Sequence, residues 1–269
     1  MRIQDLIFTA AVTGISRTLI ARDRLLGRIR RNIATEPPHA KIARHAIPSG
    51  EFVLDAVLVE PRNAPAQAAL LICHGIGETV DHWLAAQVLL AERSVATLVF
   101  DYSGYGKSTG AIDWSRCEQN ALSAYETLRS RVPNVPISLL GFSMGSGIAT
   151  AIAGRVRPTR LILSSAFTSF RDAACVLGLP RAWSPALPKI WNAKESLRQC
   201  SFPILIVHCE RDRAFPVRMA AQLAANCGAN AEFIVVADQA HNEAFYRPQR
   251  SYWDHILARL IPEFVSRPG

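Results

Sequence analysis

Gly141-Phe142-Ser143-Met144-Gly145 places a serine between two glycines at G-x-S-x-G spacing. The apolar run Ile137-Ser138-Leu139-Leu140 precedes it, and a small-residue run, Ser146-Gly147-Ile148-Ala149-Thr150-Ala151-Ile152-Ala153, follows. A strand, a turn too tight for bulk at either glycine, and a helix opening toward the turn would lift the Ser143 hydroxyl clear of a sheet edge. A serine held that way is a candidate nucleophile toward an acyl carbon. The spacing alone is cheap: with glycine near 7% of residues and serine about as common, it arises by chance in roughly one chain of this length in ten. A glycine-rich helix start with a capping serine would look the same. What separates the two readings is the company the serine keeps.

A neutral hydroxyl needs a base. Of the seven histidines, His241 is the best placed, in a loop that follows a strand-like run and precedes the last helical pattern. His39 and His45 belong to the N-terminal region, His74, His82 and His208 lie near strand ends, and His255 is inside a helical pattern. The base needs a carboxylate to fix its tautomer. Asp212, in His208-Cys209-Glu210-Arg211-Asp212-Arg213, is the candidate, with Glu210 and Asp238 as rivals and a surface ion pair with Arg211 or Arg213 as its plain alternative. A developing oxyanion needs donors. The backbone N–H of Met144, next after the serine, is one candidate. The N–H of Ile76, in the glycine-containing loop His74-Gly75-Ile76-Gly77, is the other, with His74 expected to support that loop rather than transfer protons.

These residues need a frame that brings strand ends together. Strand-like runs occupy residues 52–59, 68–73, 96–100, 137–141, 160–164, 204–209 and 231–237, and helical patterns fall near 81–93, 115–131, 144–155, 217–227 and 243–262. Several strands are nearly continuous Val/Ile/Leu, which suits burial on both faces of a parallel sheet. Alternating β and α segments imply an α/β fold with an open, mostly parallel sheet flanked by helices. Residues 42–47 and 52–59, joined by Pro48-Ser49-Gly50, predict an antiparallel hairpin at one edge. Residues 165–201 break the rhythm with Pro180, Pro185, Pro188, Trp183 and Trp191, and predict a small cap over the C-terminal sheet edge, where ligands bind in such folds. Its Phe167, Phe170, Leu177, Leu179, Trp183 and Trp191 point either to an apolar acyl group or to packing on the body.

The length of 269 residues and 49% hydrophobic content fit one folded α/β domain over residues 41–269. The net charge of +8 is uneven: residues 1–45 hold nine Arg/Lys against three Asp/Glu. The nearly neutral body gives no reason to expect nucleic acid as a partner. Apolar residues from Leu6 to Ile33 recur mostly at steps of three, four or seven, so residues 1–40 predict a basic amphipathic helical extension ending before Pro37-Pro38. Charges interrupt it well short of a membrane span, and Asp5 makes it a poor signal peptide. Two readings stay open for residues 1–35: packing on the body or a second copy as a homodimer contact, or peripheral contact with an anionic membrane surface. Six scattered cysteines without a C-x-x-C favour a reducing, cytoplasmic setting, membrane-associated if the second reading holds, and disfavour a metal site.

With these segments in place the chain resembles an α/β-hydrolase-fold serine hydrolase. The match is carried by His74-Gly75-Ile76-Gly77, Asp101-Tyr102-Ser103-Gly104-Tyr105-Gly106-Lys107-Ser108, the Gly141–Gly145 turn, His208–Pro216 around Asp212, and Ala240-His241. The order Ser143, Asp212, His241 is that of the fold, and the match covers roughly residues 50–262. Within the family it is similar to the short-lid branch that includes Bem46-like, depalmitoylase-like and small esterase or aminopeptidase-like members. Asp101 corresponds to a turn-shaping residue near the site. Cys209 stands where the family often has glycine, and the His74 loop lacks the H-G-G-G form of one esterase branch. The resemblance implies cleavage of a small acyl ester or thioester through an acyl-enzyme, with no metal or organic cofactor. Amide hydrolysis, aminopeptidase action or acyl transfer on the same triad, and a binding protein that keeps the fold without turnover, are the alternatives.

Overall fold

The computed structural model describes residue 18 and residues 37–261 except 199 and 247. The basic helix expected over residues 1–40 therefore falls almost wholly outside the described residues. The chain opens with the antiparallel hairpin β1 (Ala40–Ser49) and β2 (Phe52–Pro61), in register from Ala40↔Pro61 to Ser49↔Phe52. There follow β3 (Ala68–Cys73), α1 (Val80–Ala91), β4 (Val95–Phe100), α2 (Cys117–Arg131), β5 (Ile137–Phe142), α3 (Met144–Val156) and β6 (Leu161–Ser164). The remainder is α4 (Phe170–Val176), a 3-10 turn (Arg181–Ala186), α5 (Ala193–Leu197), β7 (Ile204–Cys209), α6 (Val217–Cys227), β8 (Ala231–Val236), α7 (Glu243–Tyr246) and α8 (Arg250–Leu260). The eight strands form one sheet in the order β1-β2-β4-β3-β5-β6-β7-β8. β2 runs antiparallel to β4, and every later pairing is parallel.

The sheet is covered on both faces, which is why its central strands are unbroken apolar runs. Every residue of β3, β4, β5 and β7 is buried. On one face Leu71, Leu98, Leu139 and Ile206 share a core with Leu128 of α2 and Ile148 and Ile152 of α3. On the other, Ile72, Val99, Leu140 and Val207 pack with Trp83 of α1 and with Trp253 and Ile256 of α8.

The single helix expected over residues 243–262 is two, α7 and α8. Pro248 lies between them; its ring and missing N–H cannot continue the first helix, and the second starts at Arg250. The apolar residues of the 165–201 segment divide into two sets. Phe167, Phe170 and Trp191 are buried, with Trp191 packed on Trp114 and Phe170 at ring-centroid distances of 5.2 and 5.8 Å. Leu177 and Trp183 are exposed. Backbone carbonyls of Pro185 and Leu187 accept from the Arg171 guanidinium, which ties the 3-10 region to α4.

Candidate active site

Parallel pairing levels the strand ends. Cys73 lies opposite Gly141, Phe142 opposite Ser164, and His208 opposite Val235. The loops after β3, β5, β7 and β8 therefore emerge at one edge, and they carry Ile76, Ser143, Asp212 and His241. Ser143 sits between β5 and α3 with φ 52° and ψ −119°, a backbone state costly for any residue with a Cβ and characteristic of functional turns. The turn closes only because its neighbours lack side chains. A Cβ at Gly145 would stand 1.9 Å from the Cys73 carbonyl oxygen, and one at Gly141 would stand 2.5 Å from that of Gly145. Backbone atoms cannot step aside as a flexible side chain can. Gly145→Ala is accordingly expected to lower stability by about 3 kcal/mol, read as a drop in the urea midpoint.

Three side chains meet above this edge. The Ser143 hydroxyl donates to His241 Nε2 at 3.1 Å, and His241 Nδ1 donates to Asp212 Oδ2 at 2.7 Å. A carboxylate facing Nδ1 requires the proton there and leaves Nε2 as the acceptor. Asp212 is held from below: its Oδ1 accepts the backbone N–H groups of Ala214 and Phe215, each at 2.9 Å. Burial works to raise its carboxyl, but the His241 hydrogen bond and charge, the Phe215 N–H and His208 outweigh it and hold it below the ordinary value. The His241 ring is flanked by Phe142 and Phe215, with centroids 5.0 and 5.8 Å away. Ser143 is 5% exposed, so a reagent can reach it only along a narrow approach.

The loop after β3 presses on the same turn, since Gly145 also lies against the His74 carbonyl. The Gly75 N–H is taken by Glu78 Oε2 at 2.9 Å and the Ser143 N–H by the Ser164 carbonyl at 3.0 Å. The Ile76 and Met144 N–H groups donate to no group among the described residues. His74 is fully buried, with Nδ1 2.8 Å from the Gly75 carbonyl oxygen and Nε2 3.5 Å from Asp101 Oδ1. Asp101 Oδ1 accepts the Val80 N–H at the start of α1, which ties the end of β4 to that helix. Burial raises the Asp101 carboxyl against the opposing pull of His74.

Glu78 is a part of the site that the sequence does not mark. It is buried, its Oε2 accepts from both the Gly75 N–H and Trp83 Nε1 at 2.9 Å, and burial pushes its carboxyl up against the charges of His74 and His241. A lone glutamate after a glycine loop has no sequence signature; only the fold puts it behind the loop. Glu78→Leu would leave two buried donors unpaired and is expected to cost about 2–4 kcal/mol. Glu78→Gln, which keeps an acceptor oxygen, should lose less in the same urea titration.

The rival acids lie elsewhere. Glu210 accepts the Asp238 N–H and Asp238 pairs with Arg211, so neither reaches His241. His208, expected to be structural, is fully buried, with Nε2 2.9 Å from the Phe215 carbonyl oxygen and 3.5 Å from Asp212 Oδ2. His39 lies against Glu92 at 3.4 Å, and His45 sits on the far edge strand β1. Cys73 and Cys209 are buried and their thiols pushed up to about 12, which makes them inert. Among the described residues no group of three or more His, Cys, Asp or Glu is placed to hold a metal ion, and no helix is long and apolar enough to cross a membrane.

The chain is similar to known proteins in sequence and in fold. Residues 64–194 match the family described as serine aminopeptidase, S33. Lysophosphatidylserine lipase ABHD12 of Macaca fascicularis is 27% identical over 236 residues, covering 79% of this chain and 59% of that protein. The zebrafish (Danio rerio) protein of that name is 25% identical over 255 residues, covering 83% and 66%. The chain thus spans about three-fifths of the length of these relatives. Est1E from Butyrivibrio proteoclasticus, solved with ferulic acid, superposes with a TM-score of 0.68 at 21% identity, covering 83% of this chain and all of that one. The Pyrococcus furiosus esterase Pf2001 superposes at 0.66 and 15% identity, covering 86% and 97%. The eight-stranded, mostly parallel sheet and these superpositions give the chain the α/β-hydrolase fold, and the proteins it resembles carry lipase and esterase names.

Proposed function

We propose that this chain hydrolyses carboxylic esters or thioesters with Ser143 as nucleophile, His241 as general base and acid, and Asp212 as the group that orients His241. The observation that carries the reading is the continuous hydrogen-bond path from Ser143 through His241 to Asp212, at 3.1 and 2.7 Å. His241 Nε2 takes the hydroxyl proton as Ser143 Oγ attacks the acyl carbon. The resulting oxyanion is held by the Ile76 and Met144 N–H groups, neither of which has an acceptor among the described residues. His241 then gives the proton to the departing alkoxide or thiolate, leaving an acyl-Ser143 ester. Water attacks that ester as His241 again removes a proton, and collapse frees the acid and restores Ser143. None of these steps calls on a metal or an organic cofactor.

The lipase and esterase names of the relatives support an ester substrate, and the buried aromatic wall of Phe142, Phe167 and Phe215 supports an apolar acyl group. The 165–201 segment, with Phe167 5.5 Å from Phe215, acts in this reading as the cap over the acyl site. The aminopeptidase description of the matched family favours a second reading, amide hydrolysis on the same residues. Six unpaired cysteines are compatible with a reducing, cytoplasmic setting. A chain-length series of p-nitrophenyl esters, run beside a thioester and the matching p-nitroanilide, separates the readings. We expect the esters to turn over fastest, with kcat/KM rising with acyl length. Faster turnover of the anilide would replace the ester reading with the amide one, and no turnover of any substrate would reject hydrolysis.

A further inference from the structure

Five large apolar side chains are exposed among the described residues, and three of them, Val176, Leu177 and Trp183, lie within residues 176–183. Leu177 and Trp183 are 64 and 67% exposed. Beside them opens a cavity of about 660 Å³, lined by Val176, Arg181, Lys194, Arg218 and Met219 among others. Lys194 lies 3.5 Å from Asp172, whose carboxylate also accepts from Thr168. Arg181 and Arg218 have no carboxylate partner among the described residues. The surrounding segment, residues 165–201, holds Arg171, Arg181, Lys189, Lys194 and Arg198 against Asp172 and Glu195. That surplus of three positive charges exceeds the surplus of two over residues 46–269 as a whole, so the net positive charge of the body falls within this segment.

An exposed indole and a leucine beside unpaired guanidinium groups match the two zones of a lipid–water boundary. Trp and Leu gain by entering the apolar margin, and Trp also favours the headgroup level. Arginines beside them meet anionic headgroups. A second copy of the chain fits poorly, because a two-fold contact through this face would set its cations against themselves. We propose that this face docks on an anionic lipid surface, with Val176, Leu177 and Trp183 entering the headgroup–acyl boundary and Arg181 and Arg218 binding anionic headgroups at the cavity mouth. The docking face adjoins the strand-end edge: Thr168 and Met219, which also line the cavity, are near neighbours in sequence of Phe167 and Phe215, and Phe215 touches His241.

The test is cosedimentation of the full chain with vesicles of phosphatidylcholine alone and of phosphatidylcholine mixed with phosphatidylglycerol, which needs no turnover and so stands or falls apart from the hydrolase reading. The wild type should bind the mixed vesicles more tightly. Arg181→Ala and Arg218→Ala should each weaken that binding ~fivefold and together erase the preference for anionic lipid. Leu177→Ser with Trp183→Ser should weaken it by roughly tenfold or more. Circular dichroism and melting curves of these surface variants should match the wild type, which keeps a loss of binding from being a loss of fold. Absent binding of the wild type overturns the proposal. So does binding that both pairs of variants leave intact, which would place it on residues 1–36 or elsewhere. An arginine effect without an apolar one would mean electrostatic adsorption with no insertion of Leu177 or Trp183, and it overturns docking as proposed.

Discussion

The Ser143→Ala variant is expected to lose ester turnover by a factor of about 10⁴–10⁶ while folding as the wild type does. The size of the loss follows from the site. Ser143 Oγ is the one hydroxyl that the structure aims at His241 Nε2, and Nε2 has no other partner among the described residues. Without it, His241 can only activate water that lacks a fixed position over the acyl carbon, and what survives is the help given by the Ile76 and Met144 amides and by binding. The backbone should tolerate the change. Alanine keeps the Cβ that serine already carries at φ 52°, so the turn is no more strained than before. The Ser143 hydroxyl supports only the His241 contact, whereas the turn is held by the Ser143 N–H to the Ser164 carbonyl and the Ser146 N–H to the Ser143 carbonyl. The unfolding midpoint should therefore stay within about 1 kcal/mol of the wild type. The checks are steady-state hydrolysis of a p-nitrophenyl ester and covalent labelling by a fluorophosphonate. Turnover above about one part in a hundred, or persistent labelling, would falsify the nucleophile assignment.

Much of this site is legible in the sequence because its parts are local. The serine turn, the His74 loop and the Asp212 loop are each a few residues after a strand, and the strands announce themselves by unbroken apolar runs that only two-sided burial allows. Ladder pairing then does the rest: level strand ends put residues 143, 212 and 241 together although they are far apart in the chain. What stays hidden depends on packing across the fold. Glu78 works because α1 carries Trp83 and the β3 loop carries Gly75 to the same carboxylate, and His208 counts because it faces Asp212 from the strand beneath. Pro248 marks the break between α7 and α8, but the apolar period runs on through it and hides the break. In residues 165–201 the prolines remove any period, so no pattern could tell Trp191, buried on α3, from Trp183, open to solvent.

Asp212→Asn tests how the base is oriented, and its effect is expected to be nearly as large, about 10⁴ in kcat. The reason lies in which atoms the backbone demands. Asp212 Oδ1 accepts two N–H groups, from Ala214 and Phe215. In the variant the amide oxygen must take that place, because an NH₂ there would face two donors. The NH₂ then points at His241 Nδ1, where the carboxylate oxygen stood. Nδ1 is forced to accept, its proton moves to Nε2, and Nε2 donates to Ser143 Oγ instead of accepting from it. The histidine keeps its place and loses its function. Fold and volume are preserved, so the variant should fold, but at neutral pH it should melt below the wild type because it lacks the stabilisation of the ionised carboxylate. The gap should close in acid. The folded Asp212 carboxyl is held below the ordinary value, so its ionised form stabilises the wild type above the unfolded value of about 3.8, and that stability is lost as pH falls through the folded value. Asparagine has no such proton to bind, so its stability should fall less steeply below pH 4. A variant with kcat within tenfold of the wild type would mean that His241 finds its orientation elsewhere, and Glu78, whose charge acts on His241 from behind the loop, would be the group to test next.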